Sequence, residues 1–353
     1  YKAAASEANN SGLPILALDL PSGLNADTGS AAPDAVNADQ TITFVGKKRG
    51  ALTALGPDLV GNLTLDKLGL TISEYDTIKP SCFQLDLKQL LDEVEVRRNE
   101  SHKGTFGSLL VIGGNQSMGG AVPLAGEAAL RSGVGLVRVL TIKEHVGPIL
   151  CRTPELIVSH FSTASEMQSI MNKSDVILVG PGLGRNSWAK EVLEVALSSD
   201  CPIVLDADAL NLLKEKQIMD LRPKISISTP HPGEASRLLG LSTEKIQKDR
   251  FAALKSLQDL LGGIVVLKGN GTIIFDGKYF FICSAGNPGM ATAGMGDVLA
   301  GVMASFLAQG LEMNFAASLA VSLHSAAADK ISQEGMRGMI ASDLMVPMRK
   351  LLG

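Results

Sequence analysis

Short apolar runs alternate along this chain with longer stretches in which apolar residues recur at helical spacing. Residues 106–112, 136–140, 156–159, 176–179, 202–205 and 225–228 each predict a strand. These strands are short and nearly all apolar, as in a parallel sheet covered on both faces. Residues 119–132 predict a helix of small residues, with Ala121, Leu124, Ala125, Ala128 and Ala129 spaced for one buried face. Residues 264–282 read as strand, loop, strand, turn, strand, and Asp276-Gly277 is a hairpin signal. Two apolar helices follow over about 292–309 and 315–334, and a helix near 342–352 closes the chain. Crossovers between parallel strands are right-handed, so the predicted architecture is α/β, a doubly wound sheet with helices on both faces.

The first 75 residues have a weaker version of the same pattern. Residues 3–10 read as the end of a surface helix that Gly12 stops. Residues 14–24 read as a buried strand running into a tight turn, and further strands are predicted at 40–46 and 61–65. Residues 76–104 read as a connector that contains Pro80 and a short amphipathic helix over 85–96. The expected organisation is an α/β unit over 1–75, a connector over 76–104 and a larger α/β domain over 105–353. The chain opens at Tyr1 inside a helical pattern, so a longer natural chain is expected.

Composition narrows the function classes. Hydrophobic residues make up 45% of the chain and charged residues 19%, which allows a large core. A net charge of −4 disfavours a general binder of nucleic acid or of anionic membranes. Cys82, Cys151, Cys201 and Cys283 are far apart, which fits free thiols in a reducing compartment, and a cytoplasmic location is expected. No apolar run reaches the roughly 18 residues of a membrane span, and no membrane partner is expected.

The unusual residues sit where predicted strands end, the place where open α/β sheets bind ligands. Gly180-Pro181-Gly182-Leu183-Gly184 follows one strand, and its glycines favour close approach of a ligand. Asp206 and Asp208 end the next, either near a metal or as helix caps. Thr229-Pro230-His231-Pro232-Gly233-Glu234 follows another. Its His231 reads as a substrate contact in preference to a structural turn residue, and Glu234 as a helix-start charge or a Mg²⁺-linked carboxylate. Lys268-Gly269-Asn270-Gly271-Thr272 puts a cation and a hydroxyl on a glycine loop, which suits nucleotide phosphates or ribose. The stretch 287–297 runs from a glycine-rich loop through Gly294-Met295-Gly296-Asp297 into a helix. Free N–H groups there favour an anion such as phosphate. Asp297 among them reads either as a proton acceptor beside phosphate or as a simple helix-start charge.

Two family resemblances follow from these motifs. Asp19-Leu20-Pro21-Ser22-Gly23-Leu24 and the residues up to Gly29 resemble the second half of an NAD(P)H-hydrate epimerase domain, a Rossmann-like module. That resemblance implies that Asp19 contacts a hydrated nicotinamide and that Ser22 helps bind K⁺. The first half of the module's pattern is absent from the chain, so epimerase activity is expected only of a longer one. From about residue 80 onward, the Gly-Pro-Gly-Leu-Gly, His-Pro-Gly-Glu, Lys-Gly-Asn-Gly-Thr and Ala-Gly-Met-Gly-Asp motifs together resemble the NAD(P)H-hydrate dehydratase family, a branch of the ribokinase-like fold. Together the two parts resemble bifunctional NAD(P)H-hydrate repair enzymes.

The resemblance implies a role for each motif. Asp297 matches the family's catalytic aspartate. Lys268, Gly269, Asn270, Gly271, Thr272 and Gly296 match its adenine-nucleotide contacts. Ala121, Gly182 or Gly184, and His231 match its contacts to the hydrated dinucleotide. The implied reaction is ADP-dependent dehydration of the (6S)-hydrate of NADH or NADPH, yielding AMP and phosphate. Mg²⁺ is expected near the phosphates, and a homo-oligomer is expected. Two competing readings are a small-alcohol, vitamin-precursor kinase on the same fold and a non-catalytic nucleotide sensor. A carboxylate pressed against phosphate argues against the sensor, and the fused epimerase-like segment argues against the kinase.

Overall fold

The computed structural model describes residues 2–71, 74, 79–161, 163–215 and 225–353. The boundary expected between residues 75 and 76 lies outside the described residues. Two sheets organise the chain. The smaller is parallel, with β1 (Leu16–Leu18), β2 (Gln40–Phe44) and β3 (Asn62–Asp66) in sequence order.

The larger sheet has ten strands. They are β4 (Cys82–Gln84), β5 (Ser108–Ile112), β6 (Leu136–Leu140), β7 (Ile157–Ser159), β8 (Val176–Val179), β9 (Ile203–Leu205), β10 (Ile225–Ser228), β11 (Ile264–Leu267), β12 (Thr272–Phe275) and β13 (Phe280–Cys283). Their spatial order is β4-β13-β12-β11-β10-β9-β8-β5-β6-β7. From β7 through β11 all pairings are parallel, while β12 is antiparallel to both β11 and β13. The Asp276-Gly277 turn joins β12 to β13, with Asp276 Oδ1 accepting the Lys278 and Tyr279 N–H groups. Residues 82–84, inside the expected connector, add β4 as an edge strand parallel to β13.

Strands β5, β8 and β11 are buried along their whole length, which explains their unbroken apolar sequence. One face is covered by the Ala121–Arg131, Met295–Ala308 and Met313–Ser332 helices. The Ser187–Ser198 and Ala207–Glu215 helices cover the other. The small residues of the first face let helices approach closely. A Cβ on Gly301 would run into the Ala125 carbonyl, and Ser305 Oγ donates to the Ala129 carbonyl at 3.0 Å.

The chain winds from β5 outward to β7, then returns to β8 and winds the other way. The loops after β5 and β8 therefore flank a topological switch point, where a crevice opens at the C-terminal strand ends. Among the described residues, no helix is long and apolar enough to cross a membrane.

Candidate active site

Asp297 lies in the first turn of the Met295–Ala308 helix, three residues after the chain turns. The turn is Gly294, whose backbone is left-handed at φ 89°. The space there is also tight, since a Cβ would meet Leu124 Cδ1 at 2.8 Å. The helix begins at Met295, three residues later than the composition predicts, because a 3₁₀ turn over Pro288–Met290 and the Gly294 turn occupy the interval. Burial raises the Asp297 carboxyl to about 7, aided by the Asp206 carboxylate and opposed by the Lys268 ammonium.

Asp206, at the end of β9, is 1% exposed and accepts Thr229 Oγ1 and Lys268 Nζ, both at 2.7 Å. Lys268, at the end of β11, also stands 4.0 Å from Glu234 Oε2. Burial works against the Lys268 charge but is outweighed by Asp206 and Glu234, so its ammonium is held above the usual range. Gly296 faces this pair. A Cβ there would lie 3.4 Å from Lys268 Nζ and 3.8 Å from Asp206 Oδ2. Ends of β9 and β11 and the start of one helix thus converge on a single ammonium.

His231 caps the Pro232–Leu239 helix. Its Nδ1 accepts the Gly233 N–H at 2.9 Å, and its own N–H donates to Glu234 Oε2 at 2.8 Å. Accepting at Nδ1 leaves the proton of the neutral ring on Nε2, which is 3.3 Å from Glu234 Oε1. Burial, Lys268 and Arg237 all push the imidazole below its ordinary value. The ring is also half-exposed, so a structural role and a ligand-facing edge coexist in one residue.

The glycine loop after β8 meets the loop after β5. Gly114 N–H and Asn115 N–H donate to the Pro181 and Gly182 carbonyls. A Cβ on Gly182 would lie 3.0 Å from Ala121 Cβ and 2.7 Å from the Met118 carbonyl, and one on Gly184 would lie 3.0 Å from Asn115 Nδ2. Asp208 Oδ2 accepts the Gly184 N–H at 2.9 Å, which ties this loop to the end of β9. Ala121, Gly182 and Gly184 therefore share one wall. Of the two carboxylates after β9, Asp206 serves Lys268 and Asp208 serves the glycine loop.

The 268–272 loop is the tip of the β11–β12 hairpin. Gly269 and Asn270 are exposed there, and Thr272 Oγ1 donates back to the Gly269 carbonyl at 3.1 Å. The glycines answer to protein neighbours on the inner side. A Cβ on Gly269 would lie 2.7 Å from Arg250 Nη1, and one on Gly271 would run into the Leu52 carbonyl.

Asp19 and Ser22 belong to the three-stranded sheet. Asp19, at the end of β1, pairs with Lys48 and accepts Thr43 Oγ1 at 3.1 Å and Phe44 N–H at 3.2 Å. The Lys48 bond holds its carboxyl below the usual range. Ser22 is exposed, and its carbonyl accepts the Val36 N–H. The residue pattern gave no warning of Thr53 or Arg250, which hold the 268–272 loop, or of His324. That histidine is fully buried against Met295, and burial pushes it down to about 4. Among the described residues, no three His, Cys, Asp or Glu side chains are arranged to hold a metal ion.

Residues 109–349 match the family described as NAD(P)H-hydrate dehydratase. The chain belongs to that family. Residues 1–50 match a second family, the YjeF-related protein N-terminus. The chain is similar to the bifunctional NAD(P)H-hydrate repair enzyme of Coxiella burnetii, with 44% identity over 98% of this chain and 70% of that protein. Among solved structures, it is similar to a ribokinase-like superfamily protein of Enterococcus faecalis, at 32% identity and TM-score 0.72, over 78% of this chain and 96% of that one. It is also similar to the ADP/ATP-dependent NAD(P)H-hydrate dehydratase of Bacillus subtilis, co-crystallised with ATP/Mg²⁺. There the identity is 30% and the TM-score 0.68, over 75% of this chain and 96% of that one. The ten-stranded sheet is thus the ribokinase-like fold of the NAD(P)H-hydrate dehydratase family, and the Asp297 cluster lies in the part that carries the match.

Proposed function

We propose that this chain repairs hydrated NADH and NADPH by nucleotide-driven dehydration, with ADP as the phosphoryl donor. The observation that carries the reading is Asp297, a carboxyl raised to about 7 at a helix start that faces Lys268. A base poised near neutral pH suits proton abstraction from an alcohol. Asp297 takes the proton of the C6 hydroxyl as that oxygen attacks the terminal phosphoryl group of ADP. A C6 phosphate ester forms, and AMP leaves. The amides of residues 294–297 and the Lys268 charge face the charge that develops during transfer. Phosphate then departs from C6 with its bonding pair, and loss of a C5 proton restores the ring double bond.

Ala121, Gly182, Gly184 and His231 line the dinucleotide side in this reading. Lys268 to Thr272 and Gly296 line the nucleotide side. The donor set fits Mg²⁺ carried by the nucleotide phosphates, with Asp206, Glu234 and Asp297 supplying a negative field around Lys268, and it does not fit a resident chelated ion. Bound there, Mg²⁺ would neutralise charge on the phosphates. For the N-terminal segment we propose residual hydrate recognition through Asp19 and a K⁺ contact at Ser22. A cytoplasmic homo-oligomer completes the proposal. The experiment is incubation with hydrated NADH and ADP. Return of dihydronicotinamide absorbance with stoichiometric AMP and phosphate supports the reading, and a stable phosphorylated hydrate would point to a kinase instead.

A further inference from the structure

The 268–271 loop is gripped from two sides, and one side is the N-terminal segment. Thr53 is fully buried, and its hydroxyl reaches the Asn270 carbonyl at 3.1 Å and the Gly271 carbonyl at 3.0 Å. Ala54 N–H donates to the same Asn270 carbonyl at 3.1 Å, and Asn270 Nδ2 donates to the Ala54 carbonyl at 2.9 Å. Leu52 packs into the cluster that holds Leu267 and Ile273, the residues flanking the loop. Arg49 stacks on Phe251 at 4.2 Å.

Arg250 holds the other side. It is 0% exposed, and its Nη2 donates to the carbonyls of Leu267, Lys268 and Gly271 at 3.1–3.4 Å. Among the described residues no carboxylate pairs with it, and Nη1 donates to Gln247 Oε1 at 2.8 Å. A trans peptide points its C=O and the next N–H in opposite directions. With the Lys268 carbonyl drawn to Arg250, the Gly269 N–H faces away from it. With the Asn270 carbonyl drawn to Thr53, the Gly271 N–H faces away from the N-terminal segment. Among the described residues neither amide has an intramolecular acceptor. Both grips act on carbonyls of the loop, so Arg250 and the N-terminal segment together set the path of residues 268–271.

We propose that Thr53 is a positioning residue of the nucleotide site, acting together with Arg250, with which it shares the Gly271 carbonyl, so that the N-terminal segment sets this chain's affinity for an adenine nucleotide. The proposal rests on the nucleotide reading of the 268–272 loop. It ascribes to residues 49–54 an effect on the larger domain that is separate from any chemistry at Asp19.

The test uses the full chain and ADP as the probe, with Thr53→Val, Thr53→Ser and Arg250→Lys compared to the parent. Thr53→Val keeps shape and removes the hydroxyl. The expected result is about two- to tenfold weaker ADP binding and a matching rise in KM for ADP, the size of one lost hydrogen bond. KM for the hydrate and kcat stay within twofold, and Thr53→Ser restores ADP affinity. Arg250→Lys is expected to weaken ADP in the same selective way. ADP affinity within twofold of the parent in Thr53→Val, or equal losses for both ligands, overturns the proposal. If the parent itself binds no ADP, the nucleotide reading fails first and the proposal falls with it. Should Thr53→Val fail to fold, hydrogen exchange on the parent decides. Slower exchange in both 50–56 and 268–272 on adding ADP supports the coupling, and slowing confined to 268–272 overturns it.

Discussion

Lys268 Nζ stands 2.7 Å from Asp206 Oδ1, between the ends of β9 and β11 and beside the start of the Asp297 helix. The same ammonium lies 4.0 Å from Glu234 and lowers the carboxyl of Asp297 against the pull of burial. A lysine read from the sequence as a phosphate contact is therefore also the cation that lets three carboxylates coexist.

Lys268→Ala should weaken ADP more than the hydrate, by on the order of 1–3 kcal/mol for a lost bond to a charged group. It should also raise the Asp297 carboxyl further, moving the acid limb of the pH–rate profile to higher pH. Calorimetric titration of both ligands and a kcat–pH series check the two effects. Equal losses for both ligands would reject the assignment.

Asp297→Asn should leave fold and ADP binding nearly intact while kcat falls about 10²–10⁴-fold, the usual share of a general base. Asparagine keeps the shape and an acceptor oxygen but cannot take the hydroxyl proton. Melting temperature, ADP affinity and kcat measured on one preparation decide. A kcat within a few-fold of the parent removes Asp297 as the base.

The raised carboxyl also predicts two pH dependences of opposite sense. Turnover should fall as pH drops below about 7, where Asp297 becomes protonated. Stability should move the other way, because a folded value above the unfolded 3.8 means that the folded state binds the proton more tightly. That stabilisation is fully present below the unfolded value and is lost as pH rises through about 7. Asp297→Asn lacks the ionisation, so its melting temperature should gain on the parent's across that window. Parallel melting curves from pH 4 to pH 8 would contradict this.

Gly294→Ala should cost more stability than Gly310→Ala. Both positions have positive φ, at 89° and 87°, but a Cβ at Gly294 meets Leu124 and Ala341, while one at Gly310 meets nothing within 4 Å. Strain at such a φ costs roughly 1–3 kcal/mol, and Gly294 adds steric repulsion. Gly294→Ala should also lower kcat by displacing the helix start. Thermal melts of the two variants, with kcat for each, make the comparison, and equal losses would place the helix start elsewhere.

Much of this architecture was legible because burial on both faces writes itself as an unbroken apolar run, as in Leu109–Ile112 or Ile264–Leu267. The Asp276-Gly277 hairpin and the small-residue helix over Ala121–Arg131 were legible for similarly local reasons. Strand β4 was not, since three residues at a sheet edge, two of them exposed, carry no periodicity. The sequence also hides which carboxylate meets Lys268, because Asp206 is 62 residues away. The glycines of the 268–272 loop looked like ligand contacts alone. Gly269 is also constrained by Arg250 and Gly271 by Leu52, neighbours that no local window contains. Arg250 itself sits on the buried face shared with Phe251 and Leu254, where an isolated arginine in a helical pattern reads as a surface residue.

The bond from Thr53 to Asn270 spans 217 positions. The β11–β12 hairpin can form locally, but its tip is completed only when the N-terminal segment docks, and closing so long a loop carries a large entropy cost. The single Trp188 stacks on Phe161, on the face covered by the Ser187–Ser198 helix. During refolding, Trp188 fluorescence should therefore return before the capacity to bind ADP. The interval between the two signals times the docking step, and a chain leaving the ribosome would already carry the docking segment when its hairpin emerges.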